Sequence, residues 1–423
     1  MNTFLHKLKL VFTDPALRRK VIFVLFALGI FRLLAAIPIP GVDTARLGQF
    51  FAGNQFFSIL DIFAGGGLST LSIVMLGVSP YITGSIIMQL LTIMVPSLKR
   101  LYSEEGEIGR KKFTQYSRML TVPLAFLQGY SLLILLERQG ILPGLGLIDL
   151  VTNLIVIVAG CMLLMWVGEL VSEYGVGNGV SVIIFAGIVA RLPRDFGQLL
   201  FSYNPQQLPL YILFVAIGLL VIAGVVAITE AERPVPVTYA KQVRGGKTMG
   251  GISSYIPLRV NMAGVMPIIF ALSILLFPQM IGNFLSGSTQ PFIQKVSGVL
   301  LSFTETSVLY SVLYFAFVII FTYFYTAVTF DPKSMAENLQ KSGAFIPGIR
   351  PGQSTELYVS RVVTRITLVG AIFLGLIAVL PLVLRGLTGM QSLAIGGTAL
   401  LIVVSVVLDI LKKMEAQISM REY

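Results

Sequence analysis

Reactive side chains are scarce in this sequence. The one histidine, His6, stands in a basic N-terminal arm, so neither a histidine-based serine triad nor an HExxH zinc site can be assembled. No glycine cluster reads as a Walker A loop. Cys161, the one cysteine, lies in an apolar run and has no partner for an internal disulfide. The apolar runs hold almost no carboxylates. Glu169 and Asp409 fall near run ends, where a charged group reaches water. A proton-coupled pump would carry an ionisable relay inside the membrane, and none is visible. What the runs do carry is small and weakly polar. Ser79, Thr83, Ser85 and Gln89 lie along one run and Asn261 opens another, a pattern that permits close helix packing through pairs that separate at little cost. Arg32 is the one deeply placed charge, expected to snorkel or pair at the outer end of its span. This stock of groups suits a passive conduit moved by an outside energy source.

The elements that must position these groups are membrane spans. The 423 residues are 55% hydrophobic and only 12% charged, with a mean hydropathy of +0.86, which cannot cover a water-facing surface. Spanning apolar runs are expected at about 21–37, 71–95, 119–136, 147–171, 207–229, 258–281, 308–328, 366–384 and 392–411. A shorter run at 179–192 follows the turn Gly175-Val-Gly-Asn-Gly179 and completes ten. The run at 21–37 ends in Pro38-Ile39-Pro40-Gly41, without a small-residue cleavage site, and reads as a retained first span. The segment 56–71 is apolar but broken by Gly65-Gly66-Gly67. Three glycines are costly inside a helix, so it is expected to enter the membrane as a re-entrant hairpin rather than to cross it.

The net charge of +11 is distributed as a membrane protein distributes it. Lys7, Lys9, Arg18, Arg19 and Lys20 occupy the N-terminal arm, and the 97–118, 230–259 and 331–365 connections and the C-terminal tail on the same side are also basic. The opposite side holds only Arg46, Arg138, Arg191, Arg194, Lys295 and Arg385. Basic loops stay inside, so the first side and both termini are expected in the cytoplasm. The 169–178 connection, with Glu169 and Glu173 and no cation, adds nothing to this argument. The two long loops, 230–259 and 331–362, mix turn formers (Pro234, Pro236, Pro347-Gly348, Pro351-Gly352) with basic and apolar residues. They read either as solvated connectors or as docking surfaces, and Tyr239, Phe345, Ile346, Ile349 and Tyr358 favour docking.

A set of segments resembles the SecY family of bacterial protein-translocase subunits. They are Phe31 to Gly41 (FRLLAAIPIPG), Phe63 to Ser69 (FAGGGLS), Pro80 to Leu90 (PYITGSIIMQL), Gly175 to Ser181 (GVGNGVS), Tyr239-Ala-Lys241, Pro257 to Pro267 (PLRVNMAGVMP), Ser342 to Gly352 (SGAFIPGIRPG) and Ile395 to Ile402 (IGGTALLI). They run through nearly the whole chain, in family order and spacing.

The resemblance implies an all-α fold of ten spans in two pseudo-symmetric, inverted-repeat halves, 21–205 and 206–411, around an hourglass pore, with an arm at 1–20 and a tail at 412–423. It implies a protein-conducting channel without catalysis or cofactor. The segment 56–70, with Phe63, Gly65, Gly66 and Gly67, would be the plug. Val78, Ile82, Val180, Ile184, Ile269 and Ile402 would form the constriction, Val78 and Val180 standing where relatives often carry larger aliphatics. Gln89 and Asn261 would lie at the lateral gate. The cytoplasmic loops, at about 230–257 and 331–362, would dock a SecA motor and the ribosome through Arg350, Lys241, Arg244 and Lys247. The segment Arg233 to Thr238 is less basic than in many relatives. SecE- and SecG-like subunits, signal peptides and nascent chains, and the lipid bilayer are the other implied partners. Without the resemblance, a small-solute transporter, a pore-less assembly subunit and, distantly, an enzyme remain open. A transporter should show a polar site at mid-membrane.

Overall fold

A computed structural model describes residues 14–40, 61, 64–103, 105–138, 140–142, 144, 146–201, 208–239, 242–244, 247–249, 253–285, 290–302, 308–388 and 396–419. Each of the ten apolar runs is realised as a helix. In chain order the helices are α1 (Pro15–Ala35), α2 (Ser79–Met94), a short α3 (Pro96–Ser103), α4 (Gly106–Arg138), α5 (Leu147–Tyr174), α6 (Gly179–Phe201) and α7 (Leu208–Glu230), then α8 (Met266–Leu285), α9 (Pro291–Leu301), α10 (Val308–Thr329), α11 (Pro332–Lys341), α12 (Gln353–Thr388) and α13 (Gly396–Ser419). By length and composition alone, five are apolar enough throughout to cross a bilayer, in α4, α5, α7, α10 and α12. On α7 the side chains of Ile212, Leu213, Val215, Leu219 and Leu220 are exposed, a surface that lipid or another apolar helix must cover.

Helix starts follow local chemistry. Asp14 caps α1 by accepting the Ala16 N–H at 2.9 Å, with Pro15 at the first helical position, and Asp331 caps α11 through the Lys333 N–H at 3.0 Å before Pro332. Two span boundaries differ from the hydropathy reading. The second helix begins at Ser79 rather than near 71, because residues 64–78 form consecutive turns. The seventh begins at Met266, because 253–259 is a strand. The run at 179–192 extends into a longer helix that carries Pro193 inside it.

The chain divides into two compact units. The first comprises Met1–Tyr211, Met280–Val299 and Ile402–Tyr423. Within it, α5 and α6 approach closely: Gly179 faces the Gly168 carbonyl with no room for a methyl group. Their turn is built by Gly177 at φ 92° and by Asn178, whose Oδ1 accepts the Val180 N–H at 3.1 Å. The Gly179 N–H donates to Ser172 Oγ at 2.8 Å. Glu169 of α5 is paired with Arg118 of α4 at 2.5 Å, which supplies the cation that its own connection lacks. Leu17 packs with Ile418, and Lys20 Nζ donates to Gln417 Oε1 at 3.2 Å, so the start of α1 lies against the end of α13.

The second unit comprises Ile212–Gln279 and Leu300–Leu401. Phe270 of α8 meets Phe321 and Tyr325 of α10 edge-on, at 5.9 and 6.0 Å between centroids. Its two long loops are not extended connectors. They fold together as β1 (Glu232–Tyr239), β2 (Gln242–Arg244), β3 (Lys247–Met249), β4 (Ser253–Arg259) and β5 (Ala344–Phe345). Strand β1 pairs antiparallel with β4 from Glu232↔Arg259 to Thr238↔Ser253, and with β5 at Thr238↔Phe345 and Tyr239↔Ala344. Pro234 and Pro236 have no N–H to donate, and β5 stops short of them, so no ladder bond is forfeited on that side.

Candidate functional site

The glycine-broken segment is tightly fitted into the first unit. Leu68 and Leu71 are fully buried, and Met75 nearly so, against Leu133 and Leu136 of α4 and Ile157 of α5, and Val74 is fully buried too. Gly65 and Gly66 adopt φ of 67° and 84°, which disfavours any other residue. Space adds a second requirement. A methyl group on Gly65 would stand 2.5 Å from the Phe31 ring of α1, and one on Gly77 would stand 2.5 Å from the Ala64 Cα. Gly187 of α6 meets the Gly65 backbone directly; its methyl group would lie 2.5 Å from the Gly65 carbonyl carbon. The segment is therefore seated backbone to backbone on α6.

Polar groups stitch the same segment in place. The Ile39 N–H donates to Leu71 O at 2.8 Å and the Ile73 N–H to Ile37 O at 2.9 Å, while Thr70 Oγ1 donates to Ala35 O at 2.8 Å. The Ile37-Pro38-Ile39 exit from the first helix thus becomes a short bridge to residues 71–73. Asp61, a residue that hydropathy does not single out, is fully buried. Its Oδ1 accepts the Leu68 and Ser69 N–H groups at 2.9 and 2.8 Å, and its Oδ2 lies 3.1 Å from Arg191 Nη1 of α6. Its signal in the sequence is a lone carboxylate in an apolar stretch just before three glycines. Phe63 lies outside the described residues; Gly65, Gly66 and Gly67 are within them.

The six aliphatic residues expected at the constriction are all buried: Val78 0%, Ile82 7%, Val180 9%, Ile184 2%, Ile269 3% and Ile402 1% exposed. Val78 stands immediately before α2, and its carbonyl accepts the Ile82 N–H at 3.0 Å, which places the two one turn apart. Val180 and Ile184 are one turn apart in α6. These four and Ile402 of α13 belong to the first unit, and Ile269 of α8 belongs to the second. The carbonyl oxygens of Gln89, near the end of α2, and Asn261, between β4 and α8, are both buried without a hydrogen-bond partner among the described residues. An unsatisfied buried carbonyl costs about 1–3 kcal/mol, so both positions carry weak points in their packing.

Arg350 is exposed on a rigid platform. Its turn holds Gly348 and Gly352 at φ of 81° and 95°, the Ile349 N–H donates to Ile346 O at 3.0 Å, and Thr355 Oγ1 donates to Arg350 O at 3.0 Å. Underneath lies a core of Val235, Val237, Leu258, Ala344, Ile346 and Val359. Tyr239, Tyr255 and Phe345 remain exposed on the same platform. Arg244 and Lys247 are the cross-strand pair at the tip of the β2–β3 hairpin, which sets two positive residues at one turn. Lys241 lies outside the described residues.

The family model SecY matches residues 72–411. The protein translocase subunit SecY of Thermotoga maritima is 40% identical over 427 residues, covering 98% of this chain and 96% of the relative. That of Thermus thermophilus is 43% identical over 421 residues, covering 97% and 94%. Among solved structures, a SecY protein whose plug domain stabilises the closed state of the translocation channel and maintains a membrane seal matches with a TM-score of 0.64 at 18% identity, over 96% of this chain and 93% of that one. Sec61 in the canine ribosome–channel complex from the endoplasmic reticulum matches over the same shares, with a TM-score of 0.60 at 18% identity. The mostly helical fold is that of the protein-conducting channels, and this chain belongs to the SecY family.

Proposed function

We propose that this chain is the channel subunit of a bacterial protein translocase, passing unfolded polypeptides across the cytoplasmic membrane and releasing apolar helices sideways into it. The observation that carries the reading is the 64–78 segment, a turn-rich, aliphatic stopper buried among helices of spanning length. A solute transporter would place polar ligands for its substrate at such a position. Here the inserted segment buries leucine, valine and methionine, groups that hold no solute but exclude water and ions.

On this reading the segment at about 56–70 is the plug. Val78, Ile82, Val180, Ile184, Ile269 and Ile402 form the constriction. A collar of branched aliphatic side chains dewets around nothing and parts around an extended chain. Gln89 and Asn261 lie at the lateral gate, where unsatisfied carbonyls keep the closed seam from becoming too stable for a signal helix to open. The Arg350 platform and the β2–β3 hairpin face the cytoplasm with both termini. There they receive a SecA-like ATPase and the ribosome, the hairpin offering positive charge to RNA phosphates. SecE- and SecG-like subunits complete the complex.

The test is import of a precursor into proteoliposomes holding this chain with SecE- and SecG-like partners, SecA and ATP. Protease-protected precursor that disappears with Arg350→Glu supports both the conduit and its docking platform. Correct insertion and motor binding without any protection overturns the conduit.

A further inference from the structure

The Asp61–Arg191 contact is more than loop chemistry. A carboxylate that needed only to fold the Gly65-Gly66-Gly67 turn would use one oxygen, and Asp61 does that with Oδ1 alone, on the Leu68 and Ser69 N–H groups. The other oxygen reaches across to a different element, Arg191 of α6, one helical turn beyond Gly187, where the glycine backbones of segment and helix touch. A buried ion pair adds little net stability, because desolvation of the charges offsets their attraction. It does fix one arrangement, since removing Arg191 leaves the Asp61 carboxylate buried without its cation. The rest of the seat is apolar packing and neutral hydrogen bonds. The ion pair is its charged contact to α6.

We infer that Asp61 and Arg191 form a latch that sets how readily the plug leaves its seat. Asp61 is a positioning residue: it shapes the loop with one oxygen and ties it to α6 with the other. On displacement toward water both charges recover hydration, so the latch defines the sealed position without making it too deep to leave. This inference rests on the reading of the segment at about 56–70 as the plug.

The experiment uses the complete translocase in proteoliposomes, with two readouts: ion conductance of the idle channel and import of a precursor with a defective signal sequence. The variants are Asp61→Asn, Arg191→Gln, their double, Arg191→Lys and a deletion of residues 64–70. Asp61→Asn is nearly isosteric and keeps the acceptor for the two N–H groups while removing the charge. A latch predicts that each single variant raises both readouts by roughly tenfold, that the double is no worse than either single, and that Arg191→Lys stays near wild type. Additive effects, or an effect of Asp61→Asn without one of Arg191→Gln, would overturn the pairing. So would failure of Asp61→Asn to accumulate in the membrane, since the carboxylate would then be structural. If the deletion raises conductance and neither single variant does, the latch fails and the plug stands. If the deletion changes nothing, the plug reading fails and takes the latch with it.

Discussion

Replacing Gly187 with alanine should unseat the plug with a single methyl group. The new Cβ would stand 2.5 Å from the Gly65 carbonyl carbon, whereas carbon atoms pack at about 3.5–4.0 Å, so the two backbones must part by roughly 1 Å or more. Neither backbone has a side chain to rotate away. Overpacking of this kind costs typically about 1–3 kcal/mol. It falls on the sealed state alone, because a displaced segment no longer touches α6, whereas the helix-propensity gain from Gly to Ala is the same in both states and cancels. The ratio of open to sealed channels should therefore rise about 5- to 150-fold. Single-channel recording of the idle complex in planar bilayers measures that ratio. Gly29→Ala on α1, where nothing lies within 4 Å of the added methyl, is the matched control and should leave it unchanged. Wild-type closure in Gly187→Ala, at normal protein yield, would refute the argument that this backbone contact seals the channel.

Two other substitutions address separate parts of the chain. Asn178→Ala removes the side-chain acceptor that starts α6 and should lower stability by about 1 kcal/mol, read as a lower unfolding temperature in detergent; an unchanged temperature would mean that the Gly175–Gly179 turn holds itself. Asn261→Leu removes a buried, unsatisfied carbonyl in a similar volume and should stabilise the closed complex by about 1–3 kcal/mol while reducing export of weakly apolar signal sequences. Lower stability or unaltered export would argue against the gate.

The sequence made the helices legible because a bilayer imposes one strong rule, a long apolar run, and every run found its helix. It was silent where apolar character and helix part company. Residues 71–78 are as hydrophobic as any span, yet they sit in turns because Leu71, Ser72 and Ile73 are bridged to Ile37 and Ile39, partners more than thirty residues away. The loop strands were hidden for a related reason: Pro234, Pro236 and Pro257 speak against a sheet interior, and only the register shows that β5 stops short of Pro234 and Pro236. Gly65-Gly66-Gly67 announced a break, but not that Gly187 would be its seat. Asp61 and Arg191 are separated by most of the first unit's sequence, and no local pattern joins them. The residues proposed for the constriction, each an ordinary aliphatic in an apolar run, drew that proposal from family resemblance alone.

The contact between Leu17 and Ile418 brings the two ends of the described chain side by side, although eleven other helices separate α1 from α13 in sequence. A short linker from the end of α13 to the start of α1 would therefore close the described chain into a ring, which could be reopened between β3 and β4. In such a permuted channel α8 would leave the ribosome first and α7 last, while the folded contacts stayed the same. Order of synthesis and final architecture, normally inseparable in a membrane protein, become independent variables.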